Sequence, residues 1–93
     1  GRIGYEYYTI FLNLTNFNEL IENKILTFAK FHPNILFVVK VIGNYDLQLE
    51  FEVKNYSELE SNLKEFREQF SEYLNNFEIL RVTKEYKYDF YPF

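Results

Sequence analysis

A four-residue segment of the chain, GNYD, combines residue types that could bind a small molecule: Gly43, Asn44, Tyr45 and Asp46. Gly43 can adopt a positive φ and lets a ligand approach the backbone, while the Asp46 carboxylate can accept a hydrogen bond from an ammonium group. Free turn amides can donate to a carboxylate, and Tyr45 offers a flat ring with a hydroxyl group. Glycine and asparagine also dominate ordinary hairpin turns, where aspartate commonly accepts from turn amides. The segment is therefore either a binding site or only a hairpin connection.

Catalytic and metal-binding chemistry has few candidate residues in the rest of the chain. The sequence contains one histidine and no cysteine, and its serines fall mostly at predicted helix starts or on the surface. A nucleophile needs an adjacent base and a zinc site needs clustered ligands, so the lone His32 suffices for neither. His32 precedes Pro33 at a predicted helix end, where an imidazole can bond the last carbonyl groups. We therefore expect no enzyme activity, no metal and no cofactor.

The composition indicates one globular domain of 93 residues, with 47% hydrophobic and 26% charged residues. The net charge of −4 disfavours a free-standing nucleic-acid binder, and no apolar run is long enough to span a membrane. The absence of cysteine and of a signal-peptide pattern indicates a cytoplasmic location. Residues 1–4 (GRIG) are interpreted as the remnant of a linker or tag, and residues 5–93 as the domain.

The hydrophobic pattern predicts six elements in the order βαββαβ. They are strand 5–14, helix 16–31, strand 34–42, strand 47–53, helix 55–74 and strand 76–90, which runs into an aromatic tail. Asn16 and Ser57 are each predicted to cap a helix, because an acidic residue follows each of them three positions later. Two helical crossovers over such a sheet predict an α+β, ferredoxin-like fold: a four-stranded antiparallel sheet with two helices on one face.

Strict alternation in the strand 47–53 predicts which residues face the helices, whereas the preceding strand is almost continuously apolar. The first strand should direct Tyr8, Ile10, Leu12 and Leu14 inward, and the first helix should direct Phe17, Leu20, Ile21, Ile25, Phe28 and Ala29 inward. We predict a hairpin register in which Phe37, Val39 and Val41 lie beside Val53, Phe51 and Leu49. In this register Lys40 lies opposite Glu50.

The sheet face away from the helices should then be rich in apolar side chains, although a water-exposed face is usually polar. An aromatic content of 22% also indicates that some rings contact a partner. We expect two copies to pack their sheets face to face, with the C-terminal tail crossing to the partner. The predicted interface residues are Tyr5, Tyr7, Phe11, Leu36, Val38, Ile42, Tyr86, Tyr88 and Phe90. The chain's own loops or another domain could instead cover this face.

The motif around the turn resembles a known family. His32-Pro33 is followed by an apolar strand, then by the Gly-x-Tyr-Asp turn at Gly43, then by the alternating strand 47–53. This pattern is similar to the effector-binding RAM domain (regulation of amino-acid metabolism) of the leucine-responsive, or Lrp/AsnC, family of transcription regulators. The likeness extends over about residues 3–92. The opening IGYEYY and the ending TKEYKYDFYPF resemble archaeal members.

The resemblance implies a homodimer through the sheets, often assembled further into tetramers or octamers. It also implies a small effector, frequently an amino acid, bound near Gly43, Asn44, Tyr45 and Asp46. Family members read DNA through an N-terminal helix-turn-helix, which is absent here. The chain is thus expected to be a regulator's effector domain without its DNA-binding part. Alternatively, it is a stand-alone dimerisation module that binds no ligand and modulates other regulators by mixed assembly.

Rival functions of the same fold fit the sequence less well. Dimeric ferredoxin-like oxygenases use aromatic-lined pockets, but the chain lacks an evident nucleophile and base. An RNA-binding sheet would surround stacking aromatics with Arg and Lys, whereas Glu50 and Glu52 share this face. The ligand-sensing ACT domain has a glycine-bearing turn after its first strand, and the segment LNLTNFNEL has no glycine.

Overall fold

The structure, a computed structural model, describes residues 2–82. Its elements are β1 (Glu6–Leu14), α1 (Glu19–Lys30), β2 (Ile35–Lys40), β3 (Leu47–Val53), α2 (Tyr56–Phe70) and β4 (Leu74–Val82). The strands form one antiparallel sheet in the order β2-β3-β1-β4. The predicted ferredoxin-like α+β fold is therefore confirmed.

The core lies between the sheet and the two helices, and β1 and β3 supply its centre. Alternate residues of both strands are buried, because successive side chains of a strand point to opposite faces. The strands contribute Tyr8, Ile10, Leu12, Leu14, Leu47, Leu49, Phe51 and Val53, and the helices contribute Ile21, Ile25, Ala29, Leu59, Leu63, Phe66 and Phe70. Leu20 differs from its prediction, since it is 64% exposed in the first turn of α1.

The helix starts differ from the predicted ones. Asn18, not Asn16, caps α1, and its side chain accepts from the Ile21 amide at 2.9 Å. Asn16 instead occupies the turn before the helix with φ +49. Asn55, not Ser57, caps α2 by accepting from an amide at 2.9 Å. Both predictions were wrong because several polar residues precede each helix, and the spacing to an acidic residue did not decide among them.

The predicted register between β2 and β3 is also wrong. Val38 pairs with Leu49 and packs against the core, and Lys40 lies opposite Leu47 rather than Glu50. The register shifts between Ile35 and Phe37, which is the signature of a bulge. An inserted residue changes the face of every side chain that follows it. The prediction of which β2 side chains face the helices was therefore wrong.

Lys40 shows why this register is tolerated. Its side chain points toward the helix face at the end of the sheet, yet it is 66% exposed. The ammonium group lies 3.3 Å from the Glu22 carboxylate at the start of α1. A lysine can place its methylene chain along an apolar surface and still keep its charge in water.

Candidate functional site

The turn between β2 and β3 is held against the end of β1 by Asp46. One carboxylate oxygen of Asp46 accepts from the Leu14 amide at 2.7 Å. The amide of Asp46 donates to the Leu12 carbonyl at 2.8 Å, and its own carbonyl accepts from Val41 at 3.2 Å. Asp46 is half-buried by these contacts. The carboxylate thus has a structural role in fixing the turn on the neighbouring strand.

A second anchor of the turn is Asn13, which no pattern in the sequence singles out. Its amide nitrogen donates to the Asn44 carbonyl at 2.8 Å, while its amide oxygen accepts from Asn75 at 2.6 Å. Asn13 therefore links the turn to the start of β4. In the sequence, Asn13 is only a polar residue on the outward side of a strand end, and such residues are common on protein surfaces.

The backbone of the turn leaves hydrogen-bond donors available. Gly43 has φ +119, a conformation that side chains other than glycine rarely adopt, and it is exposed. Within residues 2–82, the amides of Gly43, Asn44 and Tyr45 donate no hydrogen bond. Amides of this kind can bind a carboxylate. The turn therefore brings free donors close to the half-buried carboxylate of Asp46.

Tyr45 joins the turn to the open sheet face, by which we mean the face of the sheet away from the helices. Its ring lies 5.6 Å from the ring of Phe11. Burial raises the pKa of the Tyr45 phenol above its usual range, and a hydrogen bond with Glu78 raises it further. The side chain is half-buried, and its two partners, Phe11 on β1 and Glu78 on β4, are paired across the sheet.

The open sheet face has a polar centre and apolar edges. In the centre, the Tyr7 hydroxyl donates to Glu52 at 2.5 Å and the Thr9 hydroxyl donates to Glu50 at 2.8 Å. The hydrogen bond from Tyr7 to Glu52 raises the pKa of the phenol. The edges carry the exposed apolar side chains, Phe37 and Val39 on β2 and Leu80 on β4.

The structure separates the predicted interface residues into several groups. Tyr7 and Phe11 lie on the open sheet face, and Tyr5 stands immediately before β1, beneath the guanidinium of Arg2. Val38 does not lie on this face, because it packs against the core. Leu36 is exposed within the irregular part of β2, and Ile42 is fully exposed beyond its end. The remaining three, Tyr86, Tyr88 and Phe90, lie outside the described residues.

No group of three or more His, Cys, Asp or Glu residues that could hold a metal ion occurs within residues 2–82. His32 is 7% exposed and is used structurally, since its ring bonds the Asn34 amide and the Glu65 carboxylate. The two helices of residues 2–82 are neither long nor apolar enough to cross a membrane.

Several solved structures share this arrangement of a ferredoxin-like sheet and two helices. PH0061 matches over 88% of this chain and 54% of its own, with a TM-score of 0.69 and 17% identity. FFRP-DM1 matches over 84% of this chain and 99% of its own, with a TM-score of 0.68 and 14% identity. LrpC from B. subtilis matches over 85% of this chain and 51% of its own, with a TM-score of 0.61 and 14% identity.

These likenesses establish a shared fold. The chain spans about half the length of PH0061 and of LrpC and nearly all of FFRP-DM1. No family model and no curated protein matches the sequence.

Proposed function

We propose that this chain is the oligomerisation and effector-binding domain of an Lrp/AsnC-type transcription regulator of the archaeal kind. In this proposal the turn at residues 43–46 binds a free amino acid, and copies of the chain associate through the open sheet face. The role is binding rather than catalysis. Any contact with DNA would require a helix-turn-helix outside residues 1–93. The His-Pro and Gly-x-Tyr-Asp motifs, together with the fold shared with LrpC, support the assignment.

The observation that carries the proposal is the pairing of free amides and a carboxylate in one turn. The amides of Gly43, Asn44 and Tyr45 supply donors for an α-carboxylate. Asp46 uses one oxygen for Leu14, and the other oxygen supplies an acceptor for an α-ammonium group. The carboxylate and the ammonium group of an amino acid would thus each have a hydrogen-bond partner in the turn.

Self-association is supported by the exposed apolar side chains on the open sheet face. Phe37 is 55% exposed, Leu80 is 56% exposed and Val39 is 37% exposed. Contact with a second copy would remove these side chains from water, at about 25 cal/mol for each Å² of apolar surface. Tyr45 contacts Phe11 on the same face, so the turn and the proposed interface adjoin each other.

A second candidate function is a dimerisation module that binds no ligand and modulates other regulators by mixed assembly. The hydrogen bond from Leu14 to Asp46 favours this candidate, because it explains the aspartate without an effector. The anchoring of Asn44 by Asn13 likewise gives the turn a purely structural reason to be ordered.

Thermal shift measurements with each of the twenty amino acids test the proposal. Asp46→Asn is the informative variant, because the asparagine oxygen can still accept from Leu14 while the negative charge is lost. We expect at least one amino acid to raise the melting temperature of the parent and not that of the variant. A ligand that binds only the folded state stabilises that state and so raises the melting temperature.

Glu60→Gln is the matched control, since it removes one exposed carboxylate from α2, far from the turn in sequence. This variant should respond as the parent does. Equal shifts in the parent and in Asp46→Asn would discard the turn as the binding point, and no shift with any amino acid would favour the ligand-free module.

A further inference from the structure

A groove of about 970 Å³ lies between α1 and α2, on the opposite side of the domain from the open sheet face. Pockets for small ligands commonly have volumes of about 300–1,000 Å³. Phe28 and Phe70 form its apolar wall, with ring centroids 5.5 Å apart. Leu20 and Phe31 line the same groove, and they are 64% and 76% exposed.

Two polar contacts cross the groove and bound it at opposite ends. The Lys24 ammonium of α1 lies 3.3 Å from the Tyr73 hydroxyl, beyond the end of α2. Beyond the other end of α1, His32 lies 2.9 Å from the Glu65 carboxylate of α2. The groove therefore has a cationic group near one end and an anionic group near the other.

The proton positions on His32 follow from its partners. Its Nδ1 accepts from the Asn34 amide at 3.1 Å, so a neutral ring carries its proton on Nε2 and donates to Glu65. The Glu65 side chain is 58% exposed. Its second oxygen can accept a further hydrogen bond from a ligand.

Lys24 carries a charge that no carboxylate neutralises in the described part of the chain. It belongs to none of the ion pairs found within residues 2–82. Its contacts there are the neutral hydroxyl and the ring of Tyr73, whose centroid lies 5.6 Å away. An ammonium in this position can donate a hydrogen bond to a ligand carboxylate.

The distance between the two polar ends of the groove determines the length of the ligand that can bridge them. The Cα atoms of Lys24 and His32 are eight residues apart along α1 and the turn that follows it, a separation of about 12 Å at the helical rise. A free amino acid is too short to bridge them, whereas an extended chain of three or four residues spans about 10–14 Å. We propose that the groove binds a tri- or tetrapeptide with free termini, its ammonium at Glu65 and its carboxylate at Lys24. Apolar side chains of the peptide then pack on Phe28 and on the exposed rims formed by Leu20 and Phe31.

Glu72 also lines the groove, next to Tyr73 in the chain. Its carboxylate opposes a ligand carboxylate at the Lys24 end, because like charges repel. Glu72→Gln should therefore tighten peptide binding, whereas removal of Lys24 or of the Glu65 charge should weaken it.

Calorimetric titration with trileucine tests this inference. We expect saturable binding to the parent, weaker by about tenfold for trileucine with an acetylated amine and an amidated carboxyl group. Lys24→Gln and Glu65→Gln should each weaken binding of the uncapped peptide about fivefold. Lys64→Gln, which removes an exposed lysine outside the groove, is the matched control and should bind as the parent does.

The groove is distinct from the amino-acid site proposed at residues 43–46. Trileucine should therefore bind Asp46→Asn as it binds the parent, even if that variant no longer responds to an amino acid. No binding of trileucine to the parent, equal binding of the capped peptide, or full affinity in Lys24→Gln would each overturn the inference. Loss of trileucine binding in Asp46→Asn alone would place the peptide at the turn and would also overturn it.

Discussion

At the scale of single residues, Asp46 has two uses for one carboxylate. The oxygen that accepts from Leu14 fixes the turn on β1, and the proposed effector would use the other. Asp46→Ala removes both carboxylate oxygens and with them the hydrogen bond from Leu14, so it should lower the free energy of unfolding by about 1–2 kcal/mol. Urea denaturation measures this, and Asp46→Asn should lose less because it keeps the acceptor. An unchanged stability in Asp46→Ala would contradict the anchoring role.

Within residues 2–82, three tyrosines with raised pKa values predict a loss of stability in alkaline solution. Burial and a hydrogen bond with Glu6 raise the pKa of Tyr8, and a hydrogen bond with Glu52 and burial raise the pKa of Tyr7. Burial and a hydrogen bond with Glu78 raise the pKa of Tyr45. The folded state therefore holds these phenolic protons more tightly than the unfolded state. Their contribution is complete below the usual tyrosine pKa of 10.0 and is lost as the pH rises through the raised values.

Tyr45→Phe tests this pH dependence at one position. Urea denaturation at a series of pH values from about 8 to 11 should show a shallower fall in stability for the variant, because one of the shifted groups is gone. Tyr73→Phe is the control, since the side-chain contacts of Tyr73 within residues 2–82 are with Lys24 and Phe70 and with none of these three tyrosines. If the stability of Tyr45→Phe falls with pH as steeply as that of the parent, the raised pKa of Tyr45 does not contribute to the pH dependence and the prediction is wrong.

At the scale of elements, the strands differ in how well their sequence determines them. The strand β3 alternates strictly, so its bounds and its buried face could be predicted from residues 47–53. The strand β2 is apolar almost throughout, and a bulge after Ile35 fixes its register. A continuous apolar run is compatible with either parity, which is why Val38 was placed on the wrong face.

Alanine substitutions at neighbouring positions of β2 test the observed register. Val38→Ala should lower the free energy of unfolding by about 1–2 kcal/mol, because Val38 packs against the core. Phe37→Ala should change it by about 0.5 kcal/mol or less, because Phe37 is exposed on the other face. Both are measured by urea denaturation of dilute protein. The reverse order of the two effects would contradict the register.

The candidate site was predictable only in part. The Gly-x-Tyr-Asp motif located the turn, and glycine at positive φ agrees with it. The contacts of Asn13 and the packing of Tyr45 on Phe11 depend on which strands are neighbours in the sheet. A pattern along the chain does not contain that information. The groove between the helices was missed for the same reason, since Lys24 and Tyr73 are far apart in sequence.

At the scale of the whole molecule, the fold leaves its two faces with different surfaces. The open sheet face has hydrogen-bonded acids at its centre and exposed apolar side chains at its edges. The helical face has the groove between α1 and α2. A two-fold pair of sheets would cover the apolar edges and leave both grooves accessible, so self-association and peptide binding are expected to be independent.

Sedimentation equilibrium at micromolar concentration tests the central claim most directly, namely that copies associate through the open sheet face. The parent should have twice the 11.4 kDa mass of one chain, or a higher even multiple. Phe37→Asp should reduce it to one chain, while Phe31→Asp, which charges an even more exposed ring on the helical side, should not. A parent that sediments as a single chain, or a Phe37→Asp variant that still pairs, would contradict the account.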